Sequence, residues 1–483
     1  MPTTTLPGII QGGMGIGLSD WKLARAVSSR GQLGVVSGSL IDVVFIRRLQ
    51  DGDPGGHMRR AMERFPLRHV AEQALARYFR PGGRSPGEPY AALPMYQQAM
   101  TGARRQLTML AAFVEVYLAR EGHDGPVGMN LLTKIALPNP ELLYGAMIAG
   151  VDVILMGAGI PREIPGVLDH LVRHEPVVMR LEVEGATPDA VHEFHMDPRE
   201  LWEGELPQLR RPDFLPIVSS HALATLFARK FAGGVAGLVL EGPTAGGHNA
   251  PPRGDLVLDD RGQPVYGERD EVDLEAVKKL GLPFWLAGGQ GHRGAVRAAR
   301  ERGAAGVQVG TLFAFCDESG LEGGLRQSVL ESARRNAVHV HTDPLASPTG
   351  YPFKVVRWDG IPPAERERIC DLGYLRTPYQ TPEGRVGYRC PSEPEDAFVR
   401  KGGTMEATIG RRCLCNALLA NVGLAQARAH GAVEPPMLTS GDDLEQIGEF
   451  LGDLTHYGVD EVISYLLDDG RPLARSGGEA PAT

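Results

Sequence analysis

Short apolar runs closed by glycine recur along the chain, each followed by a stretch whose apolar residues fall at helical spacing. Unbroken apolar runs suit strands buried on both faces, and a 3.6-residue period suits an amphipathic helix. The first run, 8–11, ends at Gly12-Gly13-Met14-Gly15. A helix is expected from an N-cap at Ser19 to about Arg30, with Gly31 as its stop, before a second strand at 33–37. This order implies parallel pairing through a right-handed crossover. Six further strands are expected at 127–130, 151–156, 214–219, 237–240, 283–287 and 306–309. Helices at 139–149 (N-cap Asn139, Pro140 first), 161–173, 220–232, 272–280 and 292–303 alternate with them.

Two stretches break the rhythm. Residues 40–122 predict helices at 41–50, 55–65, 68–79 and 96–121, with a Pro/Gly-rich connector before the last. Residues 176–197 alternate around the turn EGATPD and read as a hairpin. Setting these aside leaves eight strands alternating with helices, the pattern of a (β/α)₈ TIM barrel. A doubly wound open sheet is the alternative. The expected organisation is a barrel from 1–39 and 123–340, a helical insertion at 40–122, a cysteine-containing and mainly helical region at 341–470, and a disordered tail at 471–483. Helices at 411–430 and 443–467 account for the C-terminal region.

Composition narrows the function. The 483 residues carry a net charge of −9 and no long basic run, which argues against a nucleic-acid partner. No basic-then-apolar leader opens the chain and no apolar stretch reaches the ~18 residues of a membrane span. A soluble cytoplasmic protein without a membrane partner is expected. Five cysteines in this length do not make a secreted disulfide framework.

In such a barrel the chemistry collects where strands end. The strand at 237–240 runs through Glu241 into Gly246-Gly247-His248. Paired glycines let the backbone pass close to a flat ligand, and a histidine exchanges protons near neutral pH. The loops after strands seven and eight are the usual phosphate site of this fold, here Gly288-Gly289 and Gly310-Thr311. No P-loop and no dinucleotide fingerprint is present, so a flavin mononucleotide fits better than a dinucleotide. His221, Glu241, His292 and Arg293 are secondary candidates; for each the alternative is a structural or solvated role.

The stretch LVLEGPTAGGHNAPPRG, with PFWLAGGQG and GAAGVQVGTLFAF, resembles the nitronate monooxygenase (2-nitropropane dioxygenase) family. That family includes the related flavin-dependent enoyl-acyl-carrier-protein reductases. The resemblance covers roughly 6–36 and 126–320 and implies a (β/α)₈ barrel with non-covalent FMN. It implies His248 beside the flavin as catalytic acid or base, and Gly288, Gly289, Gly310 and Thr311 around the phosphate. Gly12, Gly13 and Met14 would line the isoalloxazine and Asn130 would bond a polar ring edge; Gly246, Gly247 and Gln308 complete the cofactor set. Two reactions are implied. One is oxidation of alkyl nitronates with O2 to a carbonyl compound and nitrite. The other is NAD(P)H-dependent reduction of an enoyl thioester, with an acyl carrier protein as partner. A non-catalytic assembly protein that binds a phosphorylated metabolite is a third reading, and a homodimer is left open. The chain departs from the family in QGGMG, where many members have proline-methionine before glycine, and in its long additions.

Four of the five cysteines, Cys370, Cys390, Cys413 and Cys415, crowd into 370–415. Such clustering in a reducing compartment suggests zinc or an iron–sulfur cluster. Against this, the spacing is irregular and lacks C-x-x-C, which leaves reduced thiols, or a redox disulfide, as the alternatives.

Overall fold

Ile10 and Leu33 make the parallel bridge that closes a sheet of eight parallel strands into a barrel. In this computed structural model, which describes residues 6–187, 189–231, 234–361 and 366–468, the closure is made by Gln11 N donating to Leu33 O at 2.9 Å and Leu33 N to Ile9 O at 3.1 Å. The expected tail at 471–483 lies outside the described residues.

The first four barrel strands are β1 (Ile9–Gln11), β2 (Gly34–Ser37), β3 (Val127–Leu132) and β4 (Val153–Gly157). An antiparallel pair, β5 (Val177–Arg180) with β6 (Glu193–Met196), stands outside the barrel as the hairpin pattern predicts. The barrel continues with β7 (Asp213–Val218), β8 (Leu238–Glu241), β9 (Phe284–Ala287) and β10 (Gly306–Val309). Neighbours run β1-β10-β9-β8-β7-β4-β3-β2, so the expected (β/α)₈ barrel is the observed fold and the open sheet is excluded. Inward side chains, among them Ile10, Val35, Val153, Leu155, Leu215, Val239 and Trp285, pack a separate inner core. The outward faces join the larger core under the helices.

Helices α1 (Trp21–Ser28), α2 (Ile41–Gln50), α3 (His57–Met62), α4 (Arg68–Tyr78) and α5 (Gly102–Arg120) follow the first two strands. The N-cap of α1 is Asp20, whose Oδ1 accepts from the N–H groups of Lys22 and Leu23. Ser19, expected in that role, instead ties the preceding loop: its Oγ donates to Gly12 O and accepts from Met14 N. Helix α5 starts later than the periodicity indicates because Thr101 caps it, and it packs along α1 and α6 (Asn139–Ile148). Asn139 is the first residue of α6, with Pro138 at the N-cap. Around the remaining strands lie α7 (Ile164–Leu171), α8 (His221–Lys230), α9 (Leu274–Lys278), α10 (Ala295–Glu301), α11 (Thr311–Ala314) and α12 (Gly323–Arg334).

Beyond α12, strands share the region with helices. An antiparallel ribbon of β11 (Val338–Asp343) and β12 (Phe353–Trp358) is followed by a second of β13 (Thr377–Gln380) and β14 (Val386–Arg389). Helices α13 (Glu395–Arg400), α14 (Leu414–Ala420), α15 (Ile447–Leu451) and α16 (Val459–Leu467) follow. The helix expected at 411–430 thus shrinks to one short piece, because Gly423 turns the chain at φ +73° and Ala427 pairs with Val433. The helix expected at 443–467 breaks at Gly452, where φ is +49°. Among the described residues no helix is long and apolar enough to cross a membrane.

Candidate active site

A cavity of about 220 Å³ opens at the carboxyl ends of the barrel strands; two others are about 30 and 10 Å³. Gly12, Gly13, Met14, Asn130, Gly246, Gly247, His248, Gly288, Gly289, Gln308, Gly310 and Thr311 all line it. Glu241 lines it too, and also the second cavity. His221, His292 and Arg293 do not line it; all three are exposed, and Arg293 pairs with Asp468.

The histidine loop is held from the C-terminal region on two sides. On one side His248 bridges to Phe353 at the start of β12, Asn249 N donates to Pro352 O, and Lys354 N donates to Gly247 O. The His248 and Phe353 rings meet edge to face with centroids 4.9 Å apart. On the other side Gly247 N donates to Thr439 Oγ1 at 3.0 Å. His248 Nε2 lies 2.7 Å from Ser347 Oγ, and Nδ1 has no hydrogen-bond partner among the described residues. Burial, assisted by the Lys134 charge, holds the imidazole down at a pKa of about 4. At neutral pH the ring is therefore uncharged, with one nitrogen donating and the other accepting. Burial works the other way on Glu241, raising its carboxyl to about 7 with no hydrogen bond among the described residues to hold the charge.

Glycines here make room for the chain itself as well as for a ligand. A Cβ on Gly13 would stand 2.3 Å from Asn130 Cβ, while Asn130 Nδ2 donates to Gly13 O at 3.2 Å. Gly288, at φ +83°, lies in the left-handed region that favours glycine. Gln11, at the family's departure, is fully buried and pins the loop: its Oε1 accepts from Val35 N and its Nε2 donates to Ser19 Oγ.

Two features ask for a polar ligand. Gln308 Oε1 is buried without a hydrogen-bond partner among the described residues, an acceptor waiting for a donor. Thr311 Oγ1 accepts from Ser440 Oγ and from Gly441 N, which leaves its own proton to donate outward beside Gly289 and Gly310. These residues fit a group with a polar ring edge at one end and a phosphate at the other, as FMN has. Asp443 closes the same end; its Oδ2 accepts from Gly291 N, and burial pushes its carboxyl up.

The apolar wall was not legible beforehand. Leu375, Leu414, Cys415 and Leu418 reach the cavity from the C-terminal region and face Ile16, Leu40 and Ile135. Spacing carries no signal that they meet the barrel: Leu375 lies in a turn before β13 and Leu414, Cys415 and Leu418 on α14, both brought in from far along the chain.

Cys370, Cys390, Cys413 and Cys415 do converge, around the 10 Å³ cavity behind that wall. The expectation of zinc or an iron–sulfur cluster there is corrected: among the described residues no three His, Cys, Asp or Glu side chains are arranged to hold a metal ion. All four thiols are free. Cys390 is pushed up by its hydrogen bond with Cys370 and by burial, and burial pushes up Cys413 and Cys415. Three of the four thus hold their proton more tightly than a free thiol.

A nitronate monooxygenase family model matches residues 210–348. Over 96 residues the chain is 38% identical to a probable nitronate monooxygenase of Bacillus subtilis strain 168, a match spanning 20% of this chain and 26% of that protein. The chain thus matches about a quarter of the curated relative's length. Among solved structures, FabK from Thermotoga maritima is 17% identical, with a TM-score of 0.47 over 96% of this chain and 92% of that one. A nitroalkane oxidase from Streptomyces ansochromogenes is 14% identical, with a TM-score of 0.46 over 96% of each chain. The barrel itself rests on the strand pairing above. Over 210–348, the stretch that holds the histidine loop and both loops expected at a phosphate, the chain is similar to the nitronate monooxygenase family, as its motifs indicate.

Proposed function

We propose that the chain is an FMN-dependent oxidoreductase of the nitronate monooxygenase type, oxidising alkyl nitronates with O2 to a carbonyl compound and nitrite. The observation that carries this reading is the uncharged His248, with Nδ1 unpartnered, in the cavity that also holds the unpaired Gln308 Oε1. In this reading Gly288, Gly289, Gly310 and Thr311 hold the phosphate, and Gln308 accepts from a ring N–H. Gly12, Gly13, Met14, Asn130, Gly246 and Gly247 border the ring system. FMN, when bound, supplies the electron acceptor. His248 takes the proton from the carbon of a neutral nitroalkane, or donates a hydrogen bond to a nitronate that arrives as the anion. Residues 40–122 and 341–470, as separate additions to the barrel, shape the mouth; Leu40, Leu375 and Leu418 are their contributions.

The apolar wall favours a second reading, an NAD(P)H-dependent enoyl-thioester reductase with an acyl carrier protein as partner. Leu375, Leu414 and Leu418 suit an acyl chain better than a small nitronate. Here His248 or Glu241 delivers the proton to the α-carbon. Anaerobic mixing separates the two. Bleaching of the flavin by a nitronate supports the first, and bleaching by NAD(P)H with enoyl-thioester turnover supports the second. A colourless protein that cannot be reconstituted with FMN sinks both and leaves the non-catalytic binding reading.

A further inference from the structure

Ser347 sits in the loop between β11 and β12 and is fully buried, far along the chain from the barrel loop it serves. Its Oγ lies 2.7 Å from His248 Nε2 and 2.8 Å from Thr349 Oγ1, and accepts from Thr349 N at 3.2 Å. The loop is built to stay in place. Asp343 Oδ1 accepts from the N–H groups of Leu345 and Ala346, and Arg411 donates to the carbonyls of Leu345 and Ser347. Thr349 is half-buried and its neighbour Gly350 is exposed, so the row of hydroxyls runs from the cavity histidine towards solvent.

We propose that Ser347 and Thr349 form a hydroxyl relay that carries protons between His248 and solvent. A hydroxyl has one proton and two lone pairs, so these contacts can be satisfied in two ways. In the first, His248 Nε2–H donates to Ser347, and Ser347 donates to Thr349. In the second, Thr349 donates to Ser347, and Ser347 donates to a bare Nε2. The two differ by one proton shifted along each link. When Nδ1 gains a proton from the cavity, Nε2–H breaks and an O–H forms on Ser347. The former Ser347 proton passes to Thr349, and the former Thr349 proton passes to water. Each oxygen gains one O–H bond and loses one, the imidazole returns to neutral, and no electrons move. The relay gives the half-buried His248 a proton outlet through Ser347, which does not line the cavity. Ser347 is thus a positioning residue, acting on the reaction through His248.

The inference rests on the flavin-oxidoreductase reading for the source of the proton, but not for the hydrogen-bonded row itself. The test uses the FMN-reconstituted full chain with ¹⁵N-labelled histidine. Ser347→Ala is expected to change the His248 ring-nitrogen signals and to lower kcat roughly tenfold or more with KM little changed. Ser347→Thr is expected to restore most of the rate. Thr349→Val, which keeps the Ser347 contact and cuts the outlet, is expected to lower kcat while leaving the ring signals near wild type; it also serves if Ser347→Ala does not fold. Wild-type kcat in either blocking variant, or a slow Ser347→Ala with unaltered ring signals, overturns the relay. If His248→Ala is inactive while Ser347→Ala is not, only the relay fails. If His248→Ala turns over normally, the functional reading fails, and the relay's part in turnover falls with it.

Discussion

Gly246 of the histidine loop lies against Gly441 of the C-terminal region so closely that a Cβ on Gly246 would stand 2.7 Å from the Gly441 nitrogen. The contact joins the loop expected to carry the chemistry to a segment nearly two hundred residues later. Gly246→Ala should push the two apart, at an overpacking cost of about 1–3 kcal/mol. A lowered melting temperature together with weaker FMN retention is the expected result. Unchanged FMN affinity, read by fluorescence titration, would show that this contact does not set the cavity's shape.

His248 and Glu241 should make opposite contributions to stability against pH. His248 titrates near 4 in the folded chain against 6.5 for the free group. Between those values the unfolded chain binds the extra proton, so the His248 contribution is complete above about 6.5 and lost on acidification towards 4. Glu241 titrates near 7 against 4.5, so the folded chain holds the extra proton and stability falls as pH rises through that window. In urea unfolding of the apoprotein from pH 4.5 to 6.5, Glu241→Gln should steepen the rise of stability with pH. His248→Gln should flatten or reverse it. Each change is on the order of 1–3 kcal/mol across the window. Curves parallel to wild type would refute both shifts.

Asp42 is the hub of a buried network that ties the apolar wall to the helical segment. Arg104 pairs with it at 2.6 Å, and Tyr374 Oη, next to Leu375, donates to it at 2.6 Å. Asp42→Ala leaves the Arg104 charge buried without its carboxylate and should cost about 3–5 kcal/mol in chemical unfolding. The exposed Arg400–Asp396 pair is a control; Asp396→Ala should leave stability nearly unchanged.

Cys370 should be the first thiol to react. It is half-buried, and its hydrogen bond with Cys390 pulls its pKa down, whereas burial pushes up those of Cys413, Cys415 and Cys316. Timed alkylation at neutral pH with peptide mass spectrometry should show Cys370 modified first and Cys316 among the last. Elemental analysis of the same protein should show no stoichiometric zinc or iron. Stoichiometric metal, or protection of all four clustered thiols released by a chelator, would restore the metal-site reading.

The barrel was legible in the sequence because its signals are local. A strand such as Val153–Gly157 is buried on both faces, so its side chains are apolar without alternation, and glycine ends it where the backbone must turn. The strand-end positions of His248, Gly288, Gly289 and Gly310 follow from that order, and the fold brings them into one cavity. Helix ends were less legible where a neighbour decides them: Asp20 caps α1 because Ser19 is drawn to the loop at Gly12. Only the tertiary structure placed Ser347 on His248, Gly441 on Gly246 and Leu375 in the cavity wall. Those contacts join segments about a hundred or more residues apart, and neither spacing nor periodicity encodes such a distance. The cysteines show the same limit from the other side. Their crowding along the chain was real in space too, but burial and the Cys370–Cys390 hydrogen bond, which the sequence does not display, decide that most of them favour the thiol. Local pattern fixes where strands begin and end; the charge state of a buried group is set by whatever the fold packs around it.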